Sequence, residues 1–125
     1  MTLELEIIGA APIEAREVER LVALALASAG VADGHLAVEF VDEPRIRALN
    51  RDHRGLDEPT DVLSFPIDGA GAPAGPRELG DVVICPRHTA DLREAVVHGV
   101  LHLLGMDHET DDGQMLALQR ELLGR

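Results

Sequence analysis

The sequence predicts one α+β domain over residues 1–125, four strands and four helices with a metal site at the end of a core helix. Three observations lead there. Short segments that alternate or run apolar over strand lengths are interleaved with longer ones whose apolar residues recur every three or four positions. At 125 residues the chain is long enough for one real core and too short for two comfortable ones. Near the C-terminus, three histidines are spaced around a glycine in the manner of a metal-ligand set.

Taken in order, Leu3 to Ile8 alternate Leu-Glu-Leu-Glu-Ile and predict a half-buried strand. Pro12 suits the first turn of a helix, along which Val18, Leu21, Val22, Ala25 and Ala29 keep helical spacing until Gly30 closes it. Leu36, Val38 and Phe40 alternate with Ala37, Glu39 and Val41 in a second strand that ends at Asp42. Asp42-Glu43-Pro44 then starts a helix, because Asp accepts from free backbone N–H groups and proline fits just inside. Ile46, Leu49 and His53 are its inward positions. Arg47, Arg51 and Arg54 form one stripe, read either as a solvated face with pairs such as Glu43–Arg47 or as a phosphate track on an otherwise acidic protein.

Asp57-Glu58-Pro59-Thr60 is a turn, and Asp61 to Pro66 a strand that Pro66 places at an edge or an ending, since proline cannot donate to a ladder. Residues Gly69 to Gly80 are too rich in glycine and proline for regular structure and predict a mobile loop or lid. The continuous apolar run from Gly80 to Pro86 predicts a central strand. Asp91 caps a helix that Val97, Leu101 and Leu104 anchor in the core, and Met115, Leu116, Leu118, Leu122 and Leu123 mark a last amphipathic helix.

The chemistry concentrates in His98-Gly99-Val100-Leu101-His102-Leu103-Leu104-Gly105-Met106-Asp107-His108. Histidines four apart lie one above the other on a helix face, so two imidazoles can share an ion. Gly105 ends the helix, and the reversed chain can bring His108 back toward the pair. Three imidazoles with room for water describe a catalytic zinc site, because structural zinc fills all four positions with protein. The spacing matches the metzincin pattern in its histidines and glycine, but Gly99 stands where that pattern has its general-base glutamate. Asp107, Glu109, Asp111 and Asp112 crowd the turn beyond, where a carboxylate can orient a ligand histidine through its other nitrogen.

Composition narrows the partners. Net charge is −12, with 23 acids against 11 bases that are all arginine, so there is no general attraction to nucleic acid and a phosphate-bearing substrate must meet a local patch. Phe40 and Phe65 are too few for a single-strand stacking platform. No apolar run approaches the ~20 residues of a membrane span, and Met1-Thr2-Leu3-Glu4 lacks a basic signal region, so cytoplasm is the expected compartment. The single Cys85 excludes an internal disulfide; in its apolar strand it reads as a buried thiol rather than a fourth ligand.

Three stretches agree on a family. Leu49-Asn50-Arg51-Asp52-His53-Arg54-Gly55 leading to Pro59-Thr60-Asp61-Val62-Leu63-Ser64-Phe65-Pro66, then Gly80-Asp81-Val82-Val83-Ile84, then His98 to His108 resemble the bacterial YbeY family, metal-dependent endoribonucleases of ribosomal RNA maturation. The resemblance implies a zincin-like mixed sheet of four strands with helices around it, and zinc on His98, His102 and His108, with nickel, iron and manganese as other ions that accept imidazole. It places the family's important arginine on Arg54 and gives Ser64 and Asp81 lesser substrate or supporting roles, to which the arginine stripe adds Arg51 as a further candidate. It also implies a single-strand-specific activity in 16S rRNA 3′-end maturation and ribosome quality control, with ribosomal RNA and ribosomal particles as partners. His53 and Met106 stand where the family often has tyrosine, and the link from Cys85 to His98 is shorter than in typical members. The alternatives are a metallopeptidase or small-substrate metal hydrolase, and a non-catalytic ribosome assembly factor with structural zinc.

Overall fold

The computed structural model describes residues 3–68 and 77–125. Four strands, β1 (Leu3–Ile8), β2 (Gly34–Phe40), β3 (Val62–Pro66) and β4 (Glu78–Ile84), form one sheet in the order β1-β2-β4-β3. The first three in that order run parallel and β3 runs antiparallel to β4, so the sheet is mixed, as the resemblance implied. Four helices complete the described fold: α1 (Ala15–Ser28), α2 (Glu43–Arg54), α3 (Leu92–Leu103) and α4 (Gln114–Leu123). Among the described residues, no helix is long and apolar enough to cross a membrane.

Alternation along the strands sorts the side chains into two layers. Leu36, Val38, Phe40, Val82 and Ile84 face one way and pack with α1, α3 and α4 in the main core. On the other face Leu63, Val83 and Cys85 meet Ile46 and Leu49 of α2, which covers only the β3–β4 side. Helix α3 lies between the sheet and the outer helices, touching β3, β4, α1 and α4. That position explains why seven of its twelve residues are buried and why, beyond the first turn, its two histidines stand out as the polar exceptions.

Several predicted features shift. Pro12 precedes α1 instead of opening it, because the helix starts at Ala15 behind an extended Glu14. Strand β4 begins at Glu78, two residues before the predicted Gly80, because pairing with β2 starts at His35↔Glu78 and takes up a bulge after it. It stops at Ile84, and Pro86–His88 form a single 3₁₀ turn that leads almost directly into α3. Thus the link before the metal-site helix is short, and Leu104, its half-buried C-cap, packs against the margin of the main core, while Val97 and Leu101 are fully buried. His53 is exposed and rests edge-on against Phe65, 4.7 Å between ring centres. Of the glycine- and proline-rich loop, residues 69–76 lie outside the described part.

Candidate metal centre

Two constraints hold α3 in place before any ion is considered. Asp91 caps it, its carboxylate accepting from the N–H groups of Arg93 and Glu94 at 3.0 and 3.2 Å. At Gly99 the helix approaches the sheet so closely that an added Cβ would stand 2.4 Å from Val82 Cγ1. The missing glutamate of the metzincin pattern therefore has a steric cause: a side chain at this position runs into β4. Beside it, Ser64 Oγ donates to the Gly99 carbonyl at 2.8 Å and ties the helix to β3.

The histidine pair lies on the adjoining face of the helix, which borders the cleft beside β3, and Gly105, at φ +96°, turns the chain back as expected. The rings of His98, His102 and His108 come together with centres 4.7, 4.9 and 5.3 Å apart. One nitrogen from each lies within 4.8 Å of the others, and Nε2 of His98 is 3.1 Å from Nε2 of His102. Nitrogens bound tetrahedrally at 2.0–2.1 Å from zinc stand about 3.3 Å apart, so the donor set fits one ion. The fit has independent support in His108 Nδ1, which is buried with no hydrogen-bond partner. Such a buried polar atom costs about 1–3 kcal/mol unless something satisfies it. Burial first, and the neighbouring His98 ring second, hold the His102 imidazole below its ordinary pKa, which keeps it neutral as a ligand must be. These three residues could hold a metal ion. Cys85 is not in the group; it is buried on the other face of the sheet.

A residue absent from the sequence-based expectations completes the centre. Gln119 of α4, only 7% exposed, places its Oε1 2.8 Å from His98 Nδ1. The acidic turn expected to supply such a partner is engaged elsewhere. Asp107 accepts from the Glu109 N–H at 2.9 Å, and Asp111 accepts from the N–H groups of Gly113 and Met115, shaping the turn and starting α4. The signal was present in the sequence: Met115, Gln119 and Leu122 recur at i, i+4 and i+7, so a glutamine interrupts an apolar stripe and requires a partner.

The rings open into a cleft of about 630 Å³ whose other wall is β3 and whose rim carries Arg54. Arg54 closes α2, and among the described residues it makes no hydrogen bond or ion pair that would hold it away from a substrate. The rest of the arginine stripe is not in the cleft. Arg47 pairs with Asp57 at 2.9 Å, not with Glu43, which instead pairs with Arg87 and with His88; Arg51 pairs with Asp52 at 3.1 Å. Asp81 is exposed next to Val82 on β4, and alternation sends it to the sheet face away from α3. Ser64 does line the cleft. Asp61 O accepts from Cys85 N and Leu79 O from Ile67 N, so odd-numbered residues bond to β4 and even-numbered ones turn their backbone groups to the free edge. There, the Val62 N–H is taken by Asp61 Oδ1 at 2.8 Å and Pro66 has none, which leaves the Ser64 N–H as the open donor.

A family model described as Endoribonuclease YbeY matches residues 10–125. Proteins named Endoribonuclease YbeY are similar over most of the chain. The one from Nitrobacter hamburgensis is 40% identical, covering 94% of this chain and 70% of that protein. The one from Geobacillus kaustophilus is 42% identical over 130 aligned positions, covering 86% of this chain and 83% of that protein. Those 130 positions exceed the 125 residues present, so the match contains gaps on this chain's side. The solution structure of TM1509 from Thermotoga maritima shares the fold, with a TM-score of 0.55 at 27% identity over 95% of this chain and 86% of that one. With the family model spanning nearly the whole sequence and these relatives at about 40% identity, the chain belongs to the endoribonuclease YbeY family.

Proposed function

We propose that residues 1–125 act as one metal-dependent, single-strand-specific endoribonuclease domain, with zinc held by His98, His102 and His108. The observation that carries this reading is the convergence of three imidazole nitrogens, one ring with an unpartnered buried atom, in a cleft that also presents Arg54. When bound, such an ion supplies Lewis acidity toward a phosphoryl oxygen or a water molecule.

The chain's own groups do the rest. Phosphoryl transfer builds negative charge on the equatorial oxygens, and a guanidinium with fixed paired donors suits that charge. Arg54 is the group placed to hold it, while the Ser64 N–H offers a neutral donor from the β3 edge to a neighbouring phosphate. The β3 wall, with few aromatic groups, grips backbone and not bases, so it orients a strand without reading its sequence. Arg51 and Asp81 lie outside the cleft and take no part in this scheme.

The rival readings have less support. A peptidase of metzincin type needs its glutamate, and Gly99 has no room for one. A purely structural ion wants a fourth protein ligand, and the described group stops at three with Cys85 elsewhere. The family suggests 16S rRNA 3′-end maturation and ribosome quality control in the cytoplasm as the setting. Because the protein carries a net charge of −12, its recruitment is assigned to basic proteins of ribosomal particles more than to RNA itself. Metal analysis of the purified protein, with cleavage of a single-stranded RNA before and after chelation and zinc restoration, tests the reading. One zinc per chain and chelation-sensitive, zinc-restored cleavage are expected; full cleavage by metal-free protein would reject it. Co-sedimentation with ribosomal particles at moderate salt tests the recruitment, and protein found only at the top of the gradient counts against it.

A further inference from the structure

We propose that Gln119 is a positioning residue for the metal centre, and that its uncharged amide is what suits the centre to an anionic substrate. The inference rests on the metal-dependent nuclease reading above and extends it to a residue on a separate helix.

The geometry fixes the direction of the hydrogen bond. His98 turns Nε2 toward His102 Nε2, 3.1 Å away, on the side where the three rings converge. For Nε2 to offer its lone pair there, the ring proton must be on Nδ1, and Nδ1 faces Gln119 Oε1 at 2.8 Å. An amide oxygen accepts that proton in hydrogen bonding but does not take it. Gln119 thus selects one tautomer and one rotation of the His98 ring before any ion arrives. The contact is part-buried, with Gln119 only 7% exposed, so a water molecule competes poorly as a substitute acceptor and the constraint persists. It also crosses from α3 to α4, between residues 21 positions apart.

Histidine ligands commonly donate to a carboxylate, which makes the ring a stronger donor and adds a negative charge. Here the acceptor is neutral. Three neutral imidazoles around a divalent ion keep the full +2 at the centre, where a buried carboxylate would reduce it to +1. A phosphodiester approaches with one negative charge and gains another as it reacts, so the neutral acceptor favours it. The acids that line the cleft, Asp61, Asp107 and Glu109, are exposed at its margin, where water screens them.

The full chain with Gln119→Leu, Gln119→Met and Gln119→Glu distinguishes the possibilities. Zinc affinity is read by competition with a chromophoric chelator, the His98 tautomer by long-range proton–nitrogen NMR, and kcat and KM on a single-stranded RNA oligonucleotide at fixed salt. Leu and Met variants that keep wild-type far-UV circular dichroism are expected to bind zinc about 10–100-fold more weakly and to populate both His98 tautomers. The Glu variant is expected to recover zinc affinity while KM for RNA rises several-fold. Wild-type zinc affinity and a fixed Nδ1–H tautomer in the Met variant would overturn the positioning role, and an unchanged KM in the Glu variant would overturn the charge argument. If wild-type protein binds zinc yet leaves RNA intact, the nuclease reading fails while the affinity and tautomer results still judge Gln119.

Discussion

Histidines on the two sides of this small sheet meet opposite surroundings. On the face free of α1, α3 and α4, His35 of β2 stands between Glu6 of β1 and Glu78 of β4, with ring nitrogens 2.8 and 2.9 Å from the two carboxylates. The hydrogen bond to Glu6, then that to Glu78, raises its pKa above the ordinary histidine value. On the other side His98, His102 and His108 gather without a carboxylate among them, and burial lowers the pKa of His102. The same side chain favours its cation where acids face it and its neutral form where other rings and apolar neighbours surround it. Only the second environment suits a metal, because a protonated imidazole has no lone pair to give.

The most severe way to break the contrast is to remove a ring. His98→Ala or His102→Ala is expected to abolish stoichiometric metal and lower RNA cleavage on the order of a thousandfold or more, read by metal analysis and an oligonucleotide assay. Next in size, Arg54→Ala is expected to cost about tenfold to a thousandfold in cleavage while metal content stays the same. Unchanged turnover would remove Arg54 from the mechanism. Gly99→Ala puts a methyl group against Val82 and is expected to destabilise the fold by about 1–3 kcal/mol in urea titration.

The smallest effect sharpens the comparison most directly. His35 has a folded-state pKa raised above its unfolded value, so its stabilising contribution is complete below about pH 6.5 and lost as pH rises through the raised value. Melting of His35→Gln is therefore expected to fall further below wild type at pH 6 than at pH 9. For His102 the sign reverses: with a lowered folded pKa, the unfolded chain takes up the proton first, and stability falls as pH drops below about 6.5. Zinc affinity declines in the same direction as the rings charge. A His35→Gln deficit independent of pH would show that the carboxylates do not govern this residue.

What could be read in the sequence was whatever depends on near neighbours. The i, i+4 histidines, the Asp91 cap, the reversal at Gly105 and the edge placement of β3 by Pro66 all follow from local geometry, and all appear as expected. What could not be read depends on which distant surfaces meet. Arg47, Arg51 and Arg54 share a stripe, yet only the last, at the end of α2, reaches the cleft. Buried Asn50 donates to the Glu58 carbonyl at 2.9 Å and so shapes the turn after α2, a role its position in a motif does not reveal. The role of Gln119 depends on a partner on another helix, and its only local trace is its place in an apolar stripe.

The close packing at Gly99 has a consequence for how the centre adapts. Helix α3 is pressed against Val82 and tied through Ser64, so His98 and His102 ride on a support with no slack, whereas His108 hangs from the segment between Gly105 and Gly113. Exchange of one ion for another of different radius must then be absorbed by that segment alone. Stripping the ion should loosen the loop and leave the helix sealed, a split that amide deuterium uptake would display residue by residue.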